Sequence, residues 1–107
     1  MTFFDTQKLE KTEMLPGVTR QAVWLDNLMV TFVHLEEDGE VPEHSHPHEQ
    51  ITYVVEGTVR FTLDDEVRLL EAGEGACCPP DTPHRAVPVG GPAYVLDAWH
   101  PPREDYK

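Results

Sequence analysis

The chain has 107 residues, of which 20 are Asp or Glu and 8 are Lys or Arg, so its formal charge at pH 7 is −12. This length is typical of one domain with its own core. Hydrophobic residues make up 39% of the chain in short regular runs, which excludes a disordered acidic segment. Because no cluster of Lys or Arg offsets the negative charge, phosphate backbones and anionic lipids are repelled. We therefore expect neither nucleic acid nor a membrane as a partner.

The first residues and the two cysteines bear on the cellular compartment. The start of the chain has neither the basic region nor the apolar stretch of an export signal, and no run approaches the ~18 apolar residues of a transmembrane helix. Cys77 and Cys78 are adjacent, and neighbouring cysteines rarely form an unstrained disulfide. On a strand they alternate, so one thiol faces the interior as a small core residue. The sequence predicts a cytoplasmic protein with reduced thiols.

In chain order, the pattern predicts strands throughout. Residues 5–14 are expected to form a short turn of helix that Pro16-Gly17 ends. Asp26-Asn27 predicts a hairpin turn between two apolar runs. Runs bounded by Gly, Pro and Asp predict strands over 22–25, 28–36, 51–55, 58–63, 66–70, 76–78, 85–89 and 93–100. Short strands at such regular spacing are typical of an all-β sandwich or barrel.

Histidines give the strongest functional signal. His44, His46 and His48 alternate, and Gln50 continues the alternation, so one strand would present all four side chains on one face. Imidazole nitrogens bind divalent transition metals, and an amide oxygen can join them. A surface histidine run is the alternative, but this run leads directly into an apolar strand. His84, judged by itself, is typical of an ordinary loop histidine.

Two motifs give these residues a family resemblance. The first, over residues 39–57, reads Gly39-x4-His44-Ser-His46-x3-Gln50-x6-Gly57. The second, over residues 73–88, contains Gly73-x5-Pro79-x-Asp81-x2-His84. Together and in this order they resemble the two motifs of the cupins. The resemblance implies an all-β, antiparallel jelly-roll barrel, formed as a single cupin domain over residues 1–107. It also implies one divalent metal ion inside the barrel, with His48 near the mouth and ligands from His44, His46, Gln50 and His84.

Departures from the cupin pattern affect the chemistry. Gln50 stands where most cupins have Glu, and Asp81 and Pro88 replace the usual Gly and Asn of the second motif. Three neutral imidazoles and an amide leave the charge of a divalent ion uncompensated. This favours Lewis-acid activation over oxygen chemistry. The same ligand set accepts Ni, Zn, Mn, Fe or Co, so the metal is not fixed by the sequence.

The last predicted strand carries a carboxylate among apolar residues. If the strand is an edge, Asp97 points to solvent; otherwise it points into the barrel, where it can act as an acid or base. Trp99 has the same parity and would face the same cavity. Arg103 suits capture of a carboxylate ligand. It could equally be a solvated tail arginine paired with Glu104 or Asp105.

A closer resemblance links these features. His-Pro-His-Glu-Gln-Ile at 46–51 and the tail from Asp97 to Tyr106 resemble the pectin-degradation cupins. Such cupins convert 4,5-unsaturated monouronates into linear keto forms. The resemblance implies an isomerase- or lyase-like enzyme with an anionic sugar substrate, in which Asp97 transfers the proton and Arg103 anchors the substrate. Trp99 stands where these cupins often have Phe. A cupin dioxygenase or oxidoreductase and a non-catalytic sugar-binding cupin remain the alternatives. Small cupins also suggest a homodimer formed through edge strands.

Overall fold

A computed structural model describes residues 3–107, and within them the chain forms ten strands and one short 3₁₀ helix. The strands are β1 (Thr12–Leu15), β2 (Val18–Trp24), β3 (Met29–Leu35), β4 (Val41–His44), β5 (Glu49–Glu56), β6 (Thr58–Leu63), β7 (Glu66–Glu71), β8 (Gly75–Cys78), β9 (His84–Pro88) and β10 (Ala93–His100). The 3₁₀ helix is Glu104–Tyr106. Over this part of the chain, no helix has the length and apolar character needed to cross a membrane.

The strands build two antiparallel sheets. One sheet has the order β1-β2-β3-β10-β5-β8 and the other has the order β4-β9-β6-β7. A shared core joins them, with Val33 and Val54 from the first sheet and Val59 and Phe61 from the second. Several neighbouring strands, such as β3 and β10 or β4 and β9, come from distant parts of the chain, as expected for a jelly-roll barrel. The predicted all-β antiparallel architecture is therefore confirmed.

Alternation of burial along a strand shows which of its side chains point into the barrel. In β10, Ala93, Val95, Asp97 and Trp99 are buried, and the residues between them are less so. β10 pairs with β3 on one side and β5 on the other, so it is not an edge strand. Successive strand residues point to opposite faces, so Asp97 and Trp99 share the inner face. Of the two orientations left open for Asp97, the inward one is correct.

Two local predictions differ from the structure. The helical turn expected over 5–14 is wrong, because residues 6–9 form an isolated turn and β1 begins at Thr12. In that turn the Lys8 N–H donates to the Asp5 carbonyl and the Gln7 N–H to the Asp5 side chain, each at 2.9 Å. β4 was not predicted, because Pro42 and Glu43 interrupt any apolar alternation. By contrast, the hairpin at Asp26-Asn27 is confirmed, since β2 and β3 pair on either side of it.

Backbone geometry holds the strands around the site close together. Gly75 of β8 passes so near β5 that a Cβ there would lie 2.2 Å from the carbonyl oxygen of Thr52. Only glycine permits this approach. Asp81 takes the place of the usual glycine of the second motif at φ +61°, a left-handed conformation that Asp tolerates better than most residues. Its N–H donates to the His46 carbonyl at 2.8 Å, so the loop before His84 is tied to the loop that carries His46.

Candidate metal centre

The histidines reach the barrel interior from different elements. β4 ends at His44 and β5 begins at Glu49, so His46 and His48 lie in the connection between two strands. The prediction of one continuous strand is therefore wrong. Pro47 lies in this connection, and proline has no N–H to donate to a strand ladder. His84 begins β9 and is the direct partner of His44 across the β4–β9 pairing.

Three of the predicted ligands form a tight group. One ring nitrogen from each of His44, His46 and His84 lies within 4.8 Å of the others. The ring centroids of His44 and His84 are 4.3 Å apart, and those of His46 and His84 are 4.9 Å apart. His48 is not part of the group, although its ring lies 5.5 Å from that of His46. A group of three histidines at this spacing suits a transition-metal ion.

Backbone carbonyls set the orientation of all three rings. In each, Nδ1 lies within hydrogen-bond distance of a carbonyl oxygen two residues away: Pro42 for His44 (3.0 Å), His48 for His46 (3.1 Å) and Thr82 for His84 (2.9 Å). A carbonyl only accepts, so Nδ1 carries the proton in each ring, and in the neutral form of the ring Nε2 keeps its lone pair. This is the arrangement that orients metal-binding histidines in proteins.

The surroundings of the Nε2 atom of His84 indicate whether a metal ion fits this site. It is buried and has no hydrogen-bond partner among residues 3–107. Burial lowers the pKa of His84 from 6.5 to about 4, so its ring is neutral near pH 7. Burial also lowers the pKa of His46. Buried polar atoms are nearly always satisfied, and a neutral imidazole with a free lone pair is what a metal ion requires.

Gln50 completes the site from β5. Its side-chain NH₂ donates to the Thr52 hydroxyl at 2.8 Å and lies 3.4 Å from Oδ1 of Asp97. Its oxygen Oε1 is thereby directed at Nε2 of His46, 3.0 Å away. When the His46 ring is neutral with its proton on Nδ1, both of these atoms present lone pairs and repel each other. A cation bound by both would turn this repulsion into attraction, and the residues present therefore fit a metal.

Asp97 is buried beside this group rather than in it. Its side chain is 8% exposed and accepts a 2.6 Å hydrogen bond from the Thr52 hydroxyl. Both of its hydrogen bonds end on Oδ1, and within the described residues none ends on Oδ2. Burial raises the pKa of Asp97 to about 6, although the hydrogen bonds from Thr52 and Gln50 act in the opposite direction. A carboxyl group with such a pKa can both take up and release a proton near neutral pH.

Arg103 packs against two aromatic rings. Its guanidinium is 4.2 Å from the centroid of the Tyr106 ring and 5.2 Å from that of Trp99. It is paired with Asp105 at 3.0 Å, yet its side chain is only 15% exposed. The tail pairing considered from sequence is thus present, but the arginine is not solvated. Nη1 is buried with no partner in the described chain, so one edge of the guanidinium lacks a hydrogen-bond acceptor.

A small cavity connects these residues. Its volume is about 50 Å³, and its wall includes His44, Gln50, His84, Asp97 and Trp99. That space holds an ion and little more, since drug-sized ligands occupy ~300–1,000 Å³. A larger groove of about 470 Å³ is lined by β2, by residues just before β1 and by the end of the tail, with none of the clustered histidines. The chemistry of the lining, rather than volume, identifies the site.

Two residues of the site were missed by sequence reasoning. Thr52 has the same parity as Gln50 on β5, and that parity could have revealed it. Tyr106 lines the cavity and lies edge-on to Trp99, with ring centroids 5.7 Å apart. Its position depends on the tail folding back over the barrel, which no local pattern predicts.

The expected division of the cysteines is observed, since Cys78 is buried and Cys77 is exposed. Burial raises the pKa of Cys78 to about 12, so its thiol stays protonated.

The fold and this site define a class of protein. Residues 31–99 match the family model described as a cupin domain, so the chain belongs to the cupins. The family predicted from the two motifs is therefore confirmed.

Solved structures give closer comparisons. An RmlC-like cupin from Shewanella frigidimarina NCIMB 400 is 29% identical with a TM-score of 0.95, and the match covers 100% of this chain and 96% of that one. KdgF from Halomonas sp. is 30% identical with a TM-score of 0.94, covering 100% and 99% of the two chains. DMSP lyase DddQ from Ruegeria pomeroyi DSS-3 is 26% identical with a TM-score of 0.69, covering 75% and 41%. No curated protein matches the sequence.

Replacing a clustered histidine tests the metal centre. We expect His46→Ala and His84→Ala to reduce bound metal sharply, because each removes one of three convergent Nε2 lone pairs. Elemental analysis of dialysed protein measures this. His34→Ala is the matched control, since His34 stacks on Tyr94 at 4.3 Å, away from the cluster. Unchanged metal content in both cluster variants would contradict the site.

Proposed function

We propose that the protein is a metal-dependent cupin enzyme that converts 4,5-unsaturated monouronates into linear keto forms. The observation that carries the proposal is the arrangement of three kinds of group around one cavity. Metal-binding imidazoles and a buried carboxyl group line the cavity, and the half-buried guanidinium of Arg103 stacks on Trp99 and Tyr106, two residues of its wall. The resemblance of the tail to the pectin-degradation cupins and the structural similarity to KdgF support this choice of substrate.

His44, His46, Gln50 and His84 are the residues that would hold one divalent transition metal ion. When bound, the ion supplies Lewis-acid polarisation of sugar oxygens. With no carboxylate among its ligands, its charge stays largely uncompensated, which favours this role over redox chemistry. Ni, Zn, Mn, Fe and Co all suit three imidazoles and an amide oxygen.

Arg103 anchors the substrate in this proposal. The carboxylate of a uronate needs a local cation in a protein of charge −12, and the free Nη1 edge of Arg103 supplies one. Stacking on Trp99 and Tyr106 keeps the guanidinium in one orientation. Because the cavity itself is small, the sugar ring lies at the mouth, with its reacting end directed inwards.

Asp97 moves the proton. Opening the ring breaks the bond between the anomeric carbon and the ring oxygen, and the anomeric hydroxyl loses its proton as the aldehyde forms. The ring oxygen remains on the double bond as an enol. The enol then becomes a ketone when a proton leaves its oxygen and another joins the neighbouring carbon, so no atom is gained or lost overall. Oδ2 of Asp97, which accepts no hydrogen bond from the described residues, takes up and returns the proton.

We further propose that residues 1–107 form one domain that pairs as a homodimer. The outer face of the six-stranded sheet is apolar across its central strands, through Val30, Phe32, Ile51, Tyr53, Leu96 and Ala98. This broad face is better suited to a second copy than the short edge strands β1 and β8.

Light scattering tests the pairing. We expect a mass twice the 12.1 kDa of one chain. Ile51→Glu should yield monomers because it places a charge on the apolar face. Val67→Glu, at a similarly exposed residue of the other sheet, is the control and should leave the dimer intact. A monomeric wild-type protein would refute the pairing.

Steady-state kinetics on an unsaturated galacturonate separates the roles of the two catalytic candidates. General acid–base groups contribute ~10²–10⁴-fold, so Asp97→Asn should lower kcat by about that factor with metal retained. Arg103→Lys keeps the charge but loses the planar fork, so KM should rise and kcat should change less. Values of kcat/KM near wild type in both metal-loaded variants would leave these residues structural. Tight binding of the uronate without turnover would instead favour a sugar-binding protein.

A further inference from the structure

We infer that Thr52 is a positioning residue that makes Gln50 present its oxygen, and not its NH₂ group, to the histidine cluster. This inference rests on the proposed metal centre and adds a residue to it. The Gln50 side chain is an amide, with an acceptor at one corner and donors at the other. Only the orientation with Oε1 towards the histidines can bind a cation.

Thr52 is built into the sheet between Asp97 and Gln50. It lies two residues after Gln50 on the inner face of β5 and is 3% exposed. Across the β5–β10 pairing its direct partner is Asp97. The close approach of Gly75 fixes its backbone from the other side. Threonine is β-branched and therefore stiff at χ1, so its hydroxyl is held in one place.

The hydrogen bonds run in one direction along this chain of side chains. A carboxylate oxygen accepts, so the single hydroxyl proton of Thr52 points to Oδ1 of Asp97, at 2.6 Å. The hydroxyl oxygen is then left with lone pairs, and it accepts from Nε2 of Gln50 at 2.8 Å. With its NH₂ engaged there, Gln50 can only turn Oε1 towards Nε2 of His46, at 3.0 Å.

Without the hydroxyl this orientation is poorly held. The remaining contact of the Gln50 NH₂ is the 3.4 Å approach to Asp97, which is long for a hydrogen bond. The amide could then rotate and donate from its NH₂ group to the lone pair of His46. That rotation relieves the repulsion between two acceptors but removes the fourth ligand. Thr52 therefore keeps the site in its metal-binding arrangement before any metal arrives.

Zn²⁺ affinity, measured by competition with a chelating dye, tests the inference on the full chain. Thr52→Val replaces the hydroxyl by a methyl group of similar size, and we expect it to weaken Zn²⁺ binding by ~10–100-fold, as for other residues that orient metal ligands. Thr52→Ser restores the hydroxyl and should bind within about threefold of wild type. In the Co²⁺-loaded protein, the visible absorption bands should shift for Thr52→Val and not for Thr52→Ser.

Thr31→Val is the matched control. Thr31 is also buried, and it is the partner of Asp97 on the opposite side, in β3. Its hydroxyl accepts from the Trp99 indole N–H at 3.0 Å and makes no contact with Gln50. This variant should keep Zn²⁺ affinity within about threefold of wild type.

The possible results distinguish a failure of the Thr52 inference from a failure of the proposed metal centre. Wild-type affinity and an unshifted Co²⁺ spectrum in Thr52→Val would overturn the positioning role while leaving the metal centre intact. An equal loss in Thr31→Val would overturn it too, because any buried hydroxyl would then matter. If wild type itself takes up no Zn²⁺ or Co²⁺, the metal centre is wrong and the role of Thr52 falls with it. Should Thr52→Val fail to fold by circular dichroism, Thr52→Ala removes the same hydroxyl and makes the same test.

Discussion

Repulsion between buried acceptor atoms is the constraint on which the site depends. Nε2 of His46 and Oε1 of Gln50 face each other at 3.0 Å, and Nε2 of His84 is buried without a partner in the described chain. Lone pairs brought together away from water are costly unless something positive lies between them. Every feature around them preserves this arrangement, from the carbonyls that fix the imidazole protons to the hydroxyl that orients the amide. A bound cation is the simplest species that satisfies all of these atoms together.

The jelly-roll architecture makes such a convergence possible. Strands that are far apart in sequence lie side by side, so His44 of β4 faces His84 of β9, and Thr52 of β5 faces Asp97 of β10. The connection that carries His46 is held by the Asp81 N–H. Hydrogen-bonded ladders hold Gln50 and Asp97 in place, whereas Arg103 sits on the tail beyond β10 and is held by aromatic stacking. Side chains on the strands of the barrel are therefore held by the sheet, and the guanidinium is held by the tail.

Sequence patterns predicted those parts of the structure that depend on local alternation. The inner face of β10 follows from parity, which placed Trp99 correctly, but only its position between β3 and β5 settles that Asp97 is internal. The histidine spacing pointed to His44 and His46, which lie together in the structure, but a strand and a connection supply them rather than one strand. The same spacing included His48, which is outside the cluster, and His84 was singled out only by the second motif. The position of Tyr106 and the partial burial of Arg103 depend on how the tail folds back over the barrel. Such long-range contacts leave no periodic trace in the sequence.

X-ray absorption spectroscopy of the Zn²⁺-loaded protein tests the central claim most directly. The account predicts three imidazole nitrogens and one oxygen at about 2.0–2.2 Å. It also predicts that the oxygen contribution is lost or replaced by water when Gln50 becomes Ala. A zinc environment dominated by carboxylate or thiolate ligands, or one that is unchanged in His84→Ala, would contradict it.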